Sequence, residues 1–230
     1  MPIGMLTCCA GVFAGGLLGS LLRRWIGEDM RRFLPQLFGL TAICSGILSV
    51  CKAAQMPTVT LAMILGGWLG HALRLEQGVS RGLDAVLKRL PRPEGFDMKQ
   101  YVTVTSVLCA SGFGLYAVMV ESFSGERSQM FSKAMLDFFS AAVFGSSLGF
   151  PVSLIAIPQL GVFTLFFLLA RVLMPVMDDA MLNNFIACGG VLTIAAGMRM
   201  AGIRDYPLID LLPALVLAPA LTPLLARAFG

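Results

Sequence analysis

At 230 residues, 57% hydrophobic, 13% charged and with a mean hydropathy of +0.82, the chain carries far fewer charges than a soluble domain, where about a quarter of residues are charged. This excludes a soluble enzyme or binding module and identifies an integral membrane protein. The net charge of +4 does not mark a nucleic-acid binder, because membrane topology accounts for the basic residues.

A transmembrane helix needs about 20 mostly apolar residues. Eight segments are candidates: 5–22, 33–51, 56–73, 101–120, 134–150, 151–170, 181–198 and 206–226. The first follows no basic region and reads as a permanent span, not a cleaved signal. The second contains GLTAICSG, running from Gly39 to Gly46, which returns 151 residues later in the seventh as GVLTIAAG, from Gly190 to Gly197. Around this core Gly11, Val12 and Phe13 match Gly161, Val162 and Phe163, Asp29 matches Asp179, and 60–65 matches 211–216. Such a long-period duplication in an apolar chain is the organisation of a transporter. The divisions expected are repeat one 1–75, a connector 76–100, an inserted helix pair 101–150 and repeat two 151–230. In the connector, Val79, Leu83, Val86, Leu87 and Leu90 form a helical stripe, as in a helix lying on the membrane surface or packed on the bundle.

If the eight segments alternate, one face receives Arg23, Arg24, Arg31, Arg32, Arg74, Arg81, Lys88, Arg89, Arg92, Lys99, Arg199 and Arg204. The other receives Lys52, Arg127, Lys133, Arg171 and Arg227. Twelve against five places the first face in the cytoplasm. Five crossings then separate the starts of the two repeats, and an odd number inverts the second copy. The fold expected is therefore an all-α polytopic membrane protein of about eight transmembrane helices with two inverted three-helix repeats. If 134–170 were one span and a re-entrant piece, seven crossings and parallel repeats would follow.

Ionisable groups inside a bilayer are costly and need an explanation. Asp137 falls about one turn into the fifth segment, four residues after Lys133 and three before Ser140. It reads either as an ion pair at the membrane edge or as a cation or proton ligand on a path that Ser140 borders. Asp210 precedes Pro213, Pro219 and Pro223, which leave unpaired carbonyls, so it reads as a cation site in a broken helix or as a partner of Arg199 or Arg204. Gly39, Ser45 and Gly46, with Gly190 and Gly197, lie where the copies would meet, as close packing or as the lining of a site. Pro35-Gln36 and Pro158-Gln159 are further possible interruptions, and Glu121 and Glu126 border the fourth segment. The six cysteines show no metal-ligand spacing and read as small buried residues. His71, the only histidine, reads as interfacial.

Gly145-Ser146-Ser147-Leu148-Gly149 matches the serine-hydrolase GxSxG pattern, but it ends an apolar helix rather than a strand. No nucleotide-binding motif is present. No enzyme, metal or cofactor is expected.

The chain resembles the YqgA and YdfK family of bacterial inner-membrane proteins, named as a domain of unknown function. The resemblance rests on Ile3-Gly4, AGVFAGGLLGSLL (10–22), LCASGFG (108–114), SKAMLDFF (132–139), SSLG (146–149) and LLPAL (211–215). It implies a polytopic inner-membrane protein, usually described as a possible transporter. Relatives carry an asparagine where this chain has Cys8, and some a glutamate where it has His71, so neither position is counted among the site candidates.

The function expected is that of a secondary transporter or channel for a small ion or solute, in lipid and as a homo-oligomer. The alternative is a non-transporting scaffold or accessory subunit. Transport requires a hydrated cavity reached by a carboxylate near the midplane, whereas a scaffold is dry and fully packed.

Overall fold

The computed structural model describes residues 2–25, 27–78, 81, 96–110, 112–173 and 175–229. Among these, nine helices of 13 to 23 residues form and no strand does. They are α1 (Ile3–Leu22), α2 (Glu28–Val50), α3 (Met56–Ala72), α4 (Met98–Ala110), α5 (Gly112–Ser124), α6 (Ser128–Leu148), α7 (Ala156–Leu173), α8 (Asp179–Met200) and α9 (Pro213–Phe229). Short 3-10 turns at Phe150–Ile155 and Ile209–Leu211 lead into α7 and α9. Among the described residues, five stretches are long and apolar enough to cross a membrane: Ile3–Leu22, Met98–Ser122, Phe150–Val172, Asp179–Met200 and Ile209–Ala226. Gln36–Val50 is a shorter apolar helix.

Local chemistry sets the helix ends. The Asp97 carboxylate takes the N–H groups of Lys99 and Gln100 at the head of α4, and Asp178 accepts from the Met181 N–H at 2.7 Å to cap α8. Pro57 stands in the first turn of α3, where its missing N–H costs nothing. Gly149 ends α6 at a positive φ of 78°, and the chain turns back into α7 through the Leu-Gly-Phe-Pro sequence of 148–151. Pro219 and Pro223 lie inside α9, which continues through them.

Small residues bring these helices into backbone contact. Along α1 and α6 the numbering rises together, with Gly11 on Ala134, Gly15 on Phe138 and Gly19 on Ala142, so the pair is parallel. α2 and α8 cross antiparallel, with Gly39 on Gly197 and Gly46 on Gly190. A Cβ on Gly39 would stand 2.7 Å from the Gly197 carbonyl oxygen, and one on Gly190 2.7 Å from that of Gly46. No larger residue fits either place without separating the helices. α3 and α9 are also antiparallel, through Gly66 on Ala214 and Gly70 on Asp210. Leu108 reaches Gln159 and Ser122 reaches Phe167, so the α4–α5 rod runs parallel to α7.

The outward faces are apolar: Leu48, Trp68, Val172 and Val216 are each about 70% exposed, as expected of surface that meets lipid tails. Arg74, with φ 52°, breaks the chain after α3. The stripe Val79, Leu83, Val86, Leu87 and Leu90 lies outside the described residues.

Candidate functional site

α6 begins at Ser128, six residues before the span expected from hydropathy, so Asp137 is its tenth residue. At 1.5 Å per residue, that is about 14 Å into a helix about 31 Å long. The polar first turns of the helix concealed its start from hydropathy. One Asp137 oxygen meets the Lys133 ammonium at 2.5 Å. The other accepts from the Gln159 amide at 2.8 Å and the Cys8 thiol at 3.3 Å. The same Gln159 nitrogen reaches the Leu108 carbonyl at 3.1 Å. Both charged side chains are buried, at 6% and 3% exposure, and the Gln159 Oε1 is buried without a hydrogen-bond partner among the described residues. α1, α6 and α7 thus converge on one carboxylate, and α4 joins them through the Leu108 carbonyl on Gln159. Ser140 is buried but donates to its own helix, to the Leu136 carbonyl.

Asp210 belongs to the 3-10 turn ahead of α9. Its carboxylate accepts from the Glu76 N–H at 2.8 Å and meets His71 Nδ1 at 3.2 Å. Neither Arg199 nor Arg204 pairs with it, contrary to expectation. Arg199 instead binds Glu76 at 2.9 Å and Asp205 at 2.8 Å, because the end of α3 brings Glu76 between Arg199 and the Ile209 N–H. Asp137 and Asp210 have no partner in common.

The other expected lining residues divide. Gly39, Gly46, Gly190 and Gly197 are buried and committed to helix contact, whereas Ser45 is exposed on the outer face of α2. α2 packs on α8 along its glycine edge, and Ser45 falls off that edge. Glu121, which borders the fourth expected segment, is 4% exposed and accepts the N–H groups of Gly4 and Met5 at 2.7 and 2.9 Å, neutralising the positive end of α1. Asn184 accepts from the N–H groups of Ala54 and Gln55 and donates to Thr222.

Gln159, read from the sequence only as a helix interruption, and Cys8, left out of the candidates, are the partners of Asp137 that the candidate set lacked. A glutamine inside an apolar run is nearly as unusual as a carboxylate, and treating buried amides like buried ions would have selected Gln159 and Asn184.

A cavity of about 510 Å³ opens where α2 and α4 begin and α6 and α8 end, with Gln36, Asp97, Lys99, Thr103, Ser147 and Arg199 on its walls. It reaches neither Asp137 nor Asp210. Ser147 lies ten residues beyond Asp137, about 15 Å along α6, and the interval is filled by Val104, Leu108, Ala141 and Phe144. Phe38 meets Phe144 edge to face at 5.6 Å. Buried apolar side chains thus separate the cavity, a polar vestibule at this end of the helices, from Asp137. On the far side of that cluster, Lys133 occupies the Asp137 carboxylate as a tethered cation.

The chain is similar to the uncharacterized protein YqgA of Escherichia coli (strain K12), 36% identical over 228 residues, covering 96% of this chain and 97% of the relative. It is also similar to the uncharacterized membrane protein YdfK of Bacillus subtilis (strain 168), 22% identical over 223 residues, covering 95% and 94%. No solved structure matches. The match over residues 3–223 identifies the chain as a member of the family described as "Protein of unknown function (DUF554)".

Proposed function

We propose that the chain is a secondary transporter or channel for a small ion or solute across the bacterial inner membrane, held here in a closed arrangement. The observation that carries this reading is the buried Lys133–Asp137 pair at mid-helix, shared with Gln159 and Cys8. Charges at such depth are expensive, and in membrane proteins they mark ion pathways and proton relays. An apolar constriction between a polar vestibule and a charged centre gates by excluding water, and Phe38, Val104, Leu108 and Phe144 form one.

The topology in this reading is eight spans in two inverted repeats, with α4–α5 counted as one span. Every observed direction agrees with strict alternation: α1 parallel to α6, α4–α5 parallel to α7, and α2 and α3 antiparallel to α8 and α9. The repeat pairs Gly39 with Gly190 and Gly46 with Gly197. Exchanging the copies turns the Gly39–Gly197 contact into Gly190–Gly46, which is also made. A two-fold axis in the membrane plane requires that self-complementarity. Homo-oligomerisation and the absence of catalysis belong to the same reading.

The scaffold alternative draws on one observation, that the vestibule stops short of both carboxylates. Native Cys8, in contact with Asp137, separates the two. In a background where the other five cysteines are alanine, Phe144→Ala should admit a membrane-impermeant maleimide to Cys8 from the vestibule side, with Phe144 intact as the unreactive control. Failure of Cys8 to react in Phe144→Ala, while a permeant maleimide still labels it, would remove the path.

A further inference from the structure

The vestibule holds a cation arrangement that the apolar cluster and the Asp137 centre do not use. Lys99, Arg199 and Arg204 face it with Asp97 and Asp205, three cations to two carboxylates. Asp97 is committed to the backbone of α4 through the Lys99 and Gln100 N–H groups. Arg199 is only 9% exposed and is fixed from behind, its Nη1 on Glu76 at 2.9 Å and on the Tyr206 carbonyl at 3.2 Å. Its Nε remains directed into the vestibule. There it meets Asp205 Oδ1 at 2.8 Å, while Asp205 Oδ2 takes Lys99 Nζ at 3.2 Å.

Asp205 differs from the groups that hold it. It is 53% exposed and lies on the loop after Gly202, whose φ of 74° turns the chain out of α8. An exposed carboxylate is thus presented, one oxygen to each cation, to a nearly buried guanidinium and an exposed lysine. That is the geometry with which a bound oxyanion would be held. Arg204 adds a third positive group on the same wall, with no side-chain partner among the described residues.

We propose that the vestibule is a binding site for a small oxyanion, a carboxylate or a phosphate, and that Asp205 is a built-in competitor occupying the place of that oxyanion between Arg199 and Lys99. The inference rests on the transport reading in taking the vestibule as the entry to the path, and it supplies the solute class that reading leaves open. A short tether gives Asp205 an effective concentration in the millimolar range. A free anion must exceed it, so the wild-type site binds weakly and fills only when the anion is abundant.

The test uses the full chain in phosphatidylcholine nanodiscs, titrated calorimetrically with succinate and with inorganic phosphate. Removing the competitor with Asp205→Asn should tighten binding of at least one of the two about tenfold or more. Adding Lys99→Gln to Asp205→Asn should abolish that gain. A lipid phosphate could be the natural occupant, so native mass spectrometry in nanodiscs containing phosphatidylglycerol forms a second arm. Retained phosphatidylglycerol that rises with Asp205→Asn and falls with Lys99→Gln supports the oxyanion site with lipid as its source. Unchanged binding of succinate, phosphate and phosphatidylglycerol in a folded Asp205→Asn protein overturns the proposal. Because none of these readouts is a flux, a vestibule that binds in a protein that does not transport would refute the transport reading alone, and the converse would refute this one alone.

Discussion

Replacing Asp137 by Asn removes the counter-ion of a lysine that is 6% exposed and has no other carboxylate partner among the described residues. Removing one member of a buried ion pair costs about 3–5 kcal/mol, whereas replacing both members by neutral residues of similar volume is often neutral or stabilising by 1–4 kcal/mol. Asp137→Asn alone should therefore destabilise by about 3–5 kcal/mol. In a chain of this size 1 kcal/mol corresponds to about 2–4 °C in Tm, so the loss is on the order of 10 °C. Lys133→Met with Asp137→Asn should recover most of it, because Met fills the lysine stem's volume and Asn can still accept from Gln159. Thermal unfolding in detergent, followed by size-exclusion recovery of the four members of the cycle, measures the coupling. An Asp137→Asn protein within about 1 °C of wild type, or a double variant no more stable than the singles predict by addition, refutes the argument that the pair is dry and mutually dependent.

The helix contacts give sharper, local expectations. Gly46→Leu should disrupt the α2–α8 crossing and lower folded yield, since its first added carbon already meets the Gly190 carbonyl oxygen at 2.7 Å, while Gly161→Ala, with nothing within 4 Å, should gain up to about 1 kcal/mol from helix propensity; recovery after heating compares them. Glu121→Gln should cost about 1.5–3 kcal/mol, the worth of hydrogen bonds to a charged group at the head of α1, and should raise hydrogen exchange at Gly4 and Met5. Gly70→Ala should push away the Asp210 carbonyl on which Gly70 packs, loosening the His71–Asp210 contact and increasing protease access to the α3 end.

Much of the frame was legible in the sequence, and the reason is periodicity and size. The glycines of GLTAICSG and GVLTIAAG mark a helix crossing because only a missing side chain permits backbone contact, and the helix-ending Gly149 marks the turn between α6 and α7. The site was less legible. Asp137 could be selected because a charge in an apolar run is rare, but its partners beyond its own helix come from α1 and α7, at separations of 129 and 22 residues. No local pattern encodes that convergence. Cys8 illustrates the difficulty: a buried thiol packs like an alkyl group, and only the neighbouring carboxylate makes it a donor. Hydropathy also misplaced the start of α6, because Lys133 and Asp137 cancel each other's charge only in three dimensions.

The most direct measurement is flux into proteoliposomes for a panel of monovalent cations, inorganic anions and small organic acids. It should be made on wild type and on the Lys133→Met, Asp137→Asn double variant, inserted in equal amounts. The account predicts flux of at least one solute in wild type and its loss in the folded, charge-neutral double variant. Equal flux in the two proteins would show that the buried pair only holds the bundle together, and its absence from both, with insertion verified, would contradict transport altogether.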